Sequence, residues 1–458
     1  MTRPKNIWDA VWGQIELRDE EWRLINTPLY QRLRRIHQLG MTMLVFPGAT
    51  HTRFEHGIGT CHVAGRIAHR LRELGPQLEF SPPVDEPDVR IARLAALLHD
   101  IGHGPFSHVS DPFLNAGGRK GHEWIGGMAV EHLPEIRDVV DADVPGSSTS
   151  IADLLLARGP RTVLRDIVSG PTDADRIDYL RRDSHYTGAN QGHFDYEYFI
   201  DQVVAVQSGA ESFLAFRWNG IWSVEGLILA RYQMNRTVYG HRNRVVTDLM
   251  LQRGLRSALG RAVPTELLTL PDEGSFVDWF REYERWDDWR IFSEVLAGDA
   301  GLARSMFERL RDHRLLKVLV FLEGEELRLE LGEEAAQQLA GTKGLDLGGA
   351  FSDQLADELG VPREDLIAHV IDARHVLQAP DPLSHDQDIN FVTVDGLVEP
   401  FFGRSEIFSA QPSDRWRRQL VVYAPNGRRD DPQLETRSTE AAIRLLRETL
   451  AEAAHGGA

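Results

Sequence analysis

Apolar residues recur every three or four positions through most of the first half of the chain, which predicts a mainly helical protein. Between Val89 and Ile101, Leu94, Leu97, Leu98 and Ile101 share one face, and Pro105 marks where that helix stops. Glu20 to Leu39 reads as an amphipathic helix whose basic segment, Gln31 to Arg35, is as readily a plain solvated face as a functional one. A turn from Val45 to His51 leads into a helix from Thr52 to about Leu74. Further helices are expected from His122, over Asp173 to Asp183, and as one long run from Glu225 to about Arg261. Alternation with period two marks Asp9 to Leu17 as a hairpin or strand. Phe213 to Arg217 and Gly220 to Ser223 read as a second hairpin, after a helix end near Tyr198.

Residues 75–85 and 117–121 read as loops, and 135–150 as a polar surface segment. Residues 270–335 are helical in pattern, with no recognisable chemistry. Beyond Gly341 the pattern shifts to a short helix near Ser352 to Leu359, followed by β-like runs. These are Leu366 to Ile371 (equally readable as helix), Ile389 to Val394 and Leu420 to Tyr423, with a frayed tail from Ala451 to Ala458. Three regions are expected: a helical core over 1–262, a helical extension over 263–340 and a smaller α+β lobe over 341–458.

Composition narrows the class. A chain of 458 residues, 42% hydrophobic and 26% charged, can bury sizeable cores and is ordinary for a globular protein. No apolar run reaches the ~20 residues of a membrane span. The first residues lack a signal-peptide pattern, and the one cysteine, Cys61, excludes an intrachain disulfide. A cytoplasmic protein is expected. The net charge of −18 argues against a generic grip on nucleic acid, which needs massed cations. The preference for Arg over Lys leaves room for a small anionic ligand, since guanidinium forks match phosphate geometry.

Chemistry concentrates at Leu97-Leu98-His99-Asp100-Ile101-Gly102-His103-Gly104-Pro105-Phe106-Ser107-His108. His99 and Asp100 interrupt an apolar stripe, and a desolvated carboxylate beside an imidazole needs a cation or a proton partner. Taken alone, the dipeptide reads more simply as a buried hydrogen-bonded pair propping a helix end. Elsewhere, Arg53 and His56 occupy a helix's first turn, where Arg opposes the macrodipole and an anion nearby would explain it. Asp173, Asp175, Asp178 and Asp183 exceed what N-capping uses, and Tyr179 lies one turn from Asp175. His56, His99, Asp100 and Asp175 together offer two imidazoles and two carboxylates on three helical segments. That donor set suits Mn²⁺, Fe²⁺, Zn²⁺ or Ni²⁺.

The spacing His…His-Asp…Asp, with Arg53-Phe-Glu-His56, His99 to His108 and Asp173-Ala-Asp-Arg-Ile-Asp-Tyr179, resembles the HD-domain phosphohydrolases. Within them it is similar to the deoxynucleoside-triphosphate triphosphohydrolase branch, from Asp9 through Tyr423 and most strongly over 26–190. The resemblance implies an HD-type helical core, hydrolysis of deoxynucleoside triphosphates to deoxynucleoside and triphosphate, and a homo-oligomer, dimer or tetramer. It implies a divalent cation (Mg²⁺ included) on His56, His99, Asp100 and Asp175. It further implies a catalytic set of His103, Asp111, His122 and His108. Arg53, Arg176 and Arg231 then fall on the triphosphate, with Gln38, Leu39, Tyr179, Asp183 and Tyr239 around the sugar. Histidines 51, 62, 69, 132, 185, 193 and 241 receive no role beyond surface or packing.

Nucleotide-activated members of the branch read guanine with an aspartate where this chain has Asn26; Gln31 and Arg34 match, whereas Trp8 and Ala424-Pro425 do not. An amide cannot accept two hydrogen bonds from a guanine edge, so activation is expected to be absent or to use another nucleotide. The alternatives are an HD-type phosphodiesterase or nucleotidase, and a nucleotide-binding sensor with vestigial chemistry.

Overall fold

Alternation at the N-terminus produces an antiparallel hairpin, β1 (Lys5–Asp9) and β2 (Gly13–Leu17), with Lys5 opposite Leu17 and Asp9 opposite Gly13. The computed structural model describes residues 5–75, 81–114, 121–267, 275–299, 301–341, 348–372, 389–401, 404–405, 407–408, 418–425 and 432–456. The loop expected at 117–121 lies mostly outside them. The amphipathic stretch that follows the hairpin is two helices, Asp19–Ile25 and Pro28–Arg32, instead of one. Pro28 has no N–H to continue the ladder, and the Thr27 hydroxyl donates to the Leu24 carbonyl at 2.7 Å, closing the first helix.

Two helices form the first core, Arg53–Leu74 and Glu86–Leu98. The two helices pack on each other, and Ile58, Cys61, Ala64 and Ala68 on one and Leu94, Leu97 and Leu98 on the other are all essentially inaccessible. Gly57 permits the close approach, because a Cβ there would come within 3.2 Å of the Leu97 carbonyl and closer still to Tyr30. Residues 135–150 are helical at both ends, in Pro134–Val140 and Ser147–Leu155, whose apolar residues Ile136, Val139, Val140, Ile151 and Ala152 are buried. The Asp-rich stretch is the helix Ala174–Thr187.

The mid-chain hairpin is β3 (Val203–Ser208) with β4 (Glu211–Arg217), so Phe213 to Phe216 pairs backwards with 203–206. Gly220 to Ser223 opens the helix Ile221–Met234 instead of forming a strand. The long run expected to Arg261 breaks into that helix, a π-helical turn at Asn235–Tyr239 and the helix Arg242–Ala258. Helices Phe276–Tyr283, Asp288–Ala297 and Leu302–Arg311 form as expected, but Lys317–Glu323 forms β5. The remaining strands are β6 (Ile367–Asp372), β7 (Asn390–Val392), β8 (Val398–Pro400) and β9 (Arg418–Ala424). The C-terminus is helical over Pro432–Gly456, so residues to 456 are not frayed.

Two units result, each built from several stretches. The first is Met1–Tyr239 with Ala262–Glu294 and Ala379–Ala410; the second is Gly240–Arg261, Val295–Gln378 and Gln411–Ala458. In the first, β7 runs parallel to β4 and extends its sheet in the order β3-β4-β7-β8. In the second, the sheet β5-β9-β6 packs Leu420, Val422 and Val370 against Leu355, Leu446 and Leu450 from flanking helices. The protein is therefore mainly α with small sheets.

Candidate active site

A capping box at Thr52 and Glu55 starts the Arg53–Leu74 helix and fixes Arg53 and His56 on its first turn. Asp173 caps the Ala174–Thr187 helix through the Arg176 N–H at 2.8 Å and puts Asp175 on its first turn. His99 and Asp100 follow directly on Glu86–Leu98. Three helix ends thus converge. His56 Nε2 lies 2.9 Å from Asp175 Oδ1 and 3.4 Å from Asp100 Oδ2; His99 Nε2 lies 3.6 and 3.3 Å from Asp175 Oδ1 and Asp100 Oδ1.

The tautomers follow from the other ring nitrogens. His56 Nδ1 faces Asp178 Oδ2 at 2.7 Å, and His99 Nδ1 faces the Ala96 carbonyl at 2.7 Å. Both acceptors require a proton on Nδ1, so Nε2 is the nitrogen of each ring that faces the carboxylates. Neither Nε2 makes a hydrogen bond of normal geometry, although both are buried. Burial opposes a charge on His56, but Asp175 and Asp178 outweigh it and push the ring up to about 10; His99 moves up for the same kind of reason. Asp175 and Asp100, despite burial, are held well below the usual carboxylate range, Asp175 by His56 and His99 and Asp100 by Arg53, His99 and His103. Buried Nε2 atoms without a hydrogen-bond partner among ionised carboxylates fit a divalent cation, which would take over the charge that protons otherwise supply.

A second cluster adjoins the first. His103 Nε2 is 3.2 Å from Asp100 Oδ1, and its ring stacks on His122 with centroids 3.7 Å apart. Asp111 accepts from His108 Nδ1 at 2.8 Å and from His122 Nδ1 at 3.1 Å. These two bonds outweigh burial and hold the Asp111 carboxyl well below its ordinary range. Burial, Arg53 and His122 push His103 well down, so its ring is neutral. The side chain of His108 is 66% exposed, so this flank meets solvent.

Around these clusters, Arg53 donates to Asp100 Oδ2 and, at 2.8 Å, to Ser107 Oγ. Arg176 binds Asp173 and the Gly170 carbonyl. Arg231 is half-buried, with Asp173 and Tyr179 as electrostatic neighbours. Tyr179 and Tyr239 meet edge to face at 6.3 Å, and Tyr239 donates to Asp183 Oδ2 at 2.6 Å. The π-helical turn carries Tyr239, in keeping with the association of such turns with functional positions. Gln38 is buried with its Oε1 unsatisfied, and its N–H donates to the His51 carbonyl at 3.0 Å; Leu39 is half-buried next to it. At the position compared with a guanine reader, Asn26 donates to the Trp22 carbonyl, while Gln31 and Arg34 bind the Ile25 carbonyl and each other.

Several residues that matter here carried no role in the sequence. Arg32 is not on a solvated face: it is fully buried, donating to the carbonyls of His103 at 2.7 Å and Trp286 at 2.6 Å, with its guanidinium 4.2 Å from the Tyr283 ring centroid. Tyr283 donates to the Gly102 carbonyl at 2.9 Å, and Asp288 accepts from the Phe106 N–H at 2.6 Å and pairs with His37. Residues 283–288, where no chemistry was apparent, thus brace the loop 102–107, in which Phe106 and Ser107 adopt φ of 61° and 57°. Gly102 is obligatory there, since a Cβ would sit 2.1 Å from the His122 carbonyl. His51 is a buried partner of Asp183 at 2.7 Å, and not a passive packing residue. Asp178 was visible only as one of four aspartates; its spacing from Asp175, one turn along the helix, was the available signal.

A helical fold organised around histidine–aspartate groups that could hold a cation is the class these features define. Residues 53–144 match the HD domain and residues 194–431 the HD associated region, and the chain belongs to this HD-domain family. It is 34% identical over 242 residues to the uncharacterized protein YwfO of Bacillus subtilis, covering 53% of each chain. It is 29% identical over 427 residues to deoxynucleoside triphosphate triphosphohydrolase SAMHD1 of Homo sapiens, covering 83% of this chain and 64% of that one. The chain thus spans about half the length of YwfO and under two thirds of the human protein. A phosphohydrolase structure from Bacteroides thetaiotaomicron superposes with a TM-score of 0.71 at 24% identity, over 92% of this chain and all of that one, which speaks to the fold. No helix among the described residues is long and apolar enough to cross a membrane.

Proposed function

We propose that this HD-superfamily protein hydrolyses deoxynucleoside triphosphates with the help of a divalent cation, releasing deoxynucleoside and triphosphate. The observation that carries the reading is the pair of buried, unbonded Nε2 atoms of His56 and His99 facing Asp175 and Asp100. Support for the substrate comes from SAMHD1, named for this activity, and from Arg53 on Asp100 and Arg176 and Arg231 as electrostatic neighbours of Tyr179.

A cation held by His56, His99, Asp100 and Asp175 would polarise a phosphoryl oxygen and acidify water. The chain's own groups supply the rest. Arg53, Arg176 and Arg231 neutralise the triphosphate, and their charge counts for more where water is sparse. Asp183, braced by His51, accepts from the sugar 3′-hydroxyl together with Tyr239, while the Tyr179 ring closes on C2′ and excludes ribose. A water oxygen bonds to the α-phosphorus as the bond to O5′ breaks. His103, neutral and with Nδ1 unbonded, takes the water's proton, and His108, oriented by Asp111, gives one from Nε2 to the departing O5′.

Each dNTP incubated with purified protein and Mn²⁺ should yield deoxynucleoside and tripolyphosphate, with GTP making little difference. Monophosphate with pyrophosphate would refute the reading in favour of a nucleotidase or phosphodiesterase. Nucleotide binding without turnover would favour a sensor.

A further inference from the structure

We propose that Trp12, on the turn of the N-terminal hairpin, is a positioning residue for His56 and acts through Asp178. The inference rests on reading His56, His99, Asp100 and Asp175 as a cation site. Asp178 is fully buried, and each of its oxygens is doubly engaged. Oδ2 receives His56 Nδ1 at 2.7 Å and Arg182 Nε at 2.8 Å; Oδ1 receives Arg182 Nη2 at 2.9 Å and the Trp12 indole Nε1 at 2.5 Å. Trp12 lies 166 positions away in the chain, on an element that contributes no donor to the site.

The hairpin is built to hold that indole. Asp9 Oδ1 accepts the N–H groups of Val11 and Trp12 at 2.8 and 2.9 Å, which fixes the turn. Asp9 Oδ2 accepts Arg182 Nη1 at 2.8 Å, tying the turn to the same guanidinium that grips Asp178. The Trp12 ring meets Tyr196 edge to face at 5.1 Å, and the Arg181 guanidinium lies 4.5 Å from its centroid. Gly59 admits Asp178, since a Cβ there would overlap Oδ1 at 1.9 Å. Packing alone would be satisfied by any aromatic ring; the indole N–H meeting a buried carboxylate is a further, directional contact. Removing it leaves Oδ1 short of a donor, and the carboxylate is then less firmly aimed at His56 Nδ1. Groups that orient metal-binding histidines typically change affinity by about 10- to 100-fold when altered. The hairpin is thereby part of the cation site's support, and a cation bound at His56 must in turn steady the hairpin.

Trp12→Phe keeps the ring and deletes the donor. Mn²⁺ titration by calorimetry should show a dissociation constant about tenfold weaker than wild type, with the metal-free melting temperature within about 2 °C of wild type. An unchanged constant overturns the inference, as does a weakening accompanied by a larger fall in the metal-free melting temperature, which marks a general structural role. Hydrogen exchange on the unaltered protein reads the same coupling from the other end and decides the matter if the variant does not fold. Saturating Mn²⁺ should slow amide exchange across residues 9–14, and unchanged exchange there overturns the inference. Wild-type protein that binds no Mn²⁺ instead overturns the cation-site reading and this inference with it.

Discussion

Two histidine clusters lie side by side, joined by the 3.2 Å approach of His103 to Asp100, and they are satisfied in opposite ways. Around His56, His99 and Asp175 the imidazoles are buried and their Nε2 atoms have no hydrogen bond, while the Nδ1 atoms are firmly held. Around His103, His108, Asp111 and His122, one carboxylate accepts from two imidazoles and part of the group meets solvent. Both sets have the composition of a metal site. His103 Nδ1 is buried without a partner as well, so the difference lies in the surroundings: two such nitrogens face Asp100 and Asp175 in the first cluster, which fits the proposed cation, while the shared Asp111 and exposed His108 of the second fit the proposed proton traffic.

Three experiments can break or sharpen this division. Asp175→Ala should lose Mn²⁺ binding together with activity, by about 1,000-fold or more, measured by metal analysis beside turnover. Retained metal would move the cation out of the first cluster. His122→Ala should keep its metal and lose roughly 100-fold or more in kcat, because His122 stacks on the proposed base His103 and shares Asp111 with the proposed acid His108. Co-loss of metal there would merge the two clusters into a two-ion centre. The smallest effect is on pH. Because the His56 ring without a cation is pushed up to about 10, its Nε2 must shed a proton for metal to bind. Mn²⁺ affinity should therefore rise with pH, by about tenfold per unit between pH 6 and 8, with proton release seen by calorimetry in different buffers. The same raised value means that His56 contributes stability to the metal-free protein below about pH 6.5 that is lost as pH rises towards 10. A flat metal profile would point to donors already unprotonated.

The candidate donors stood out through the His…His-Asp…Asp spacing shared with the HD family, with an N-cap before Asp175 and a glycine-rich stop after His99 as local signals. The main helical cores were legible from their apolar periodicity. What escaped was held by long-range partners. Arg32 reads as basic surface because nothing local announces that Tyr283 and Trp286 will enclose it. His51 reads as one histidine of several until Asp183, 132 positions on, meets its ring. Helix breaks at Thr27-Pro28 and at Asn235–Tyr239 were hidden by the continuous apolar pattern across them. Strand β3 was missed because its run of valines has no alternation to separate it from buried helix.

Bracing of the loop 102–107 by Asp288 joins positions 182 apart in the chain. At ordinary ribosomal speeds that interval takes on the order of 10 to 40 s to make. Throughout it, the left-handed backbone at Phe106 and Ser107 lacks the clamp that holds it in the finished molecule. A newborn chain thus carries every donor of the proposed cation site well before it has a settled loop beside them, so completion of that site waits on a stretch that supplies none of its donors.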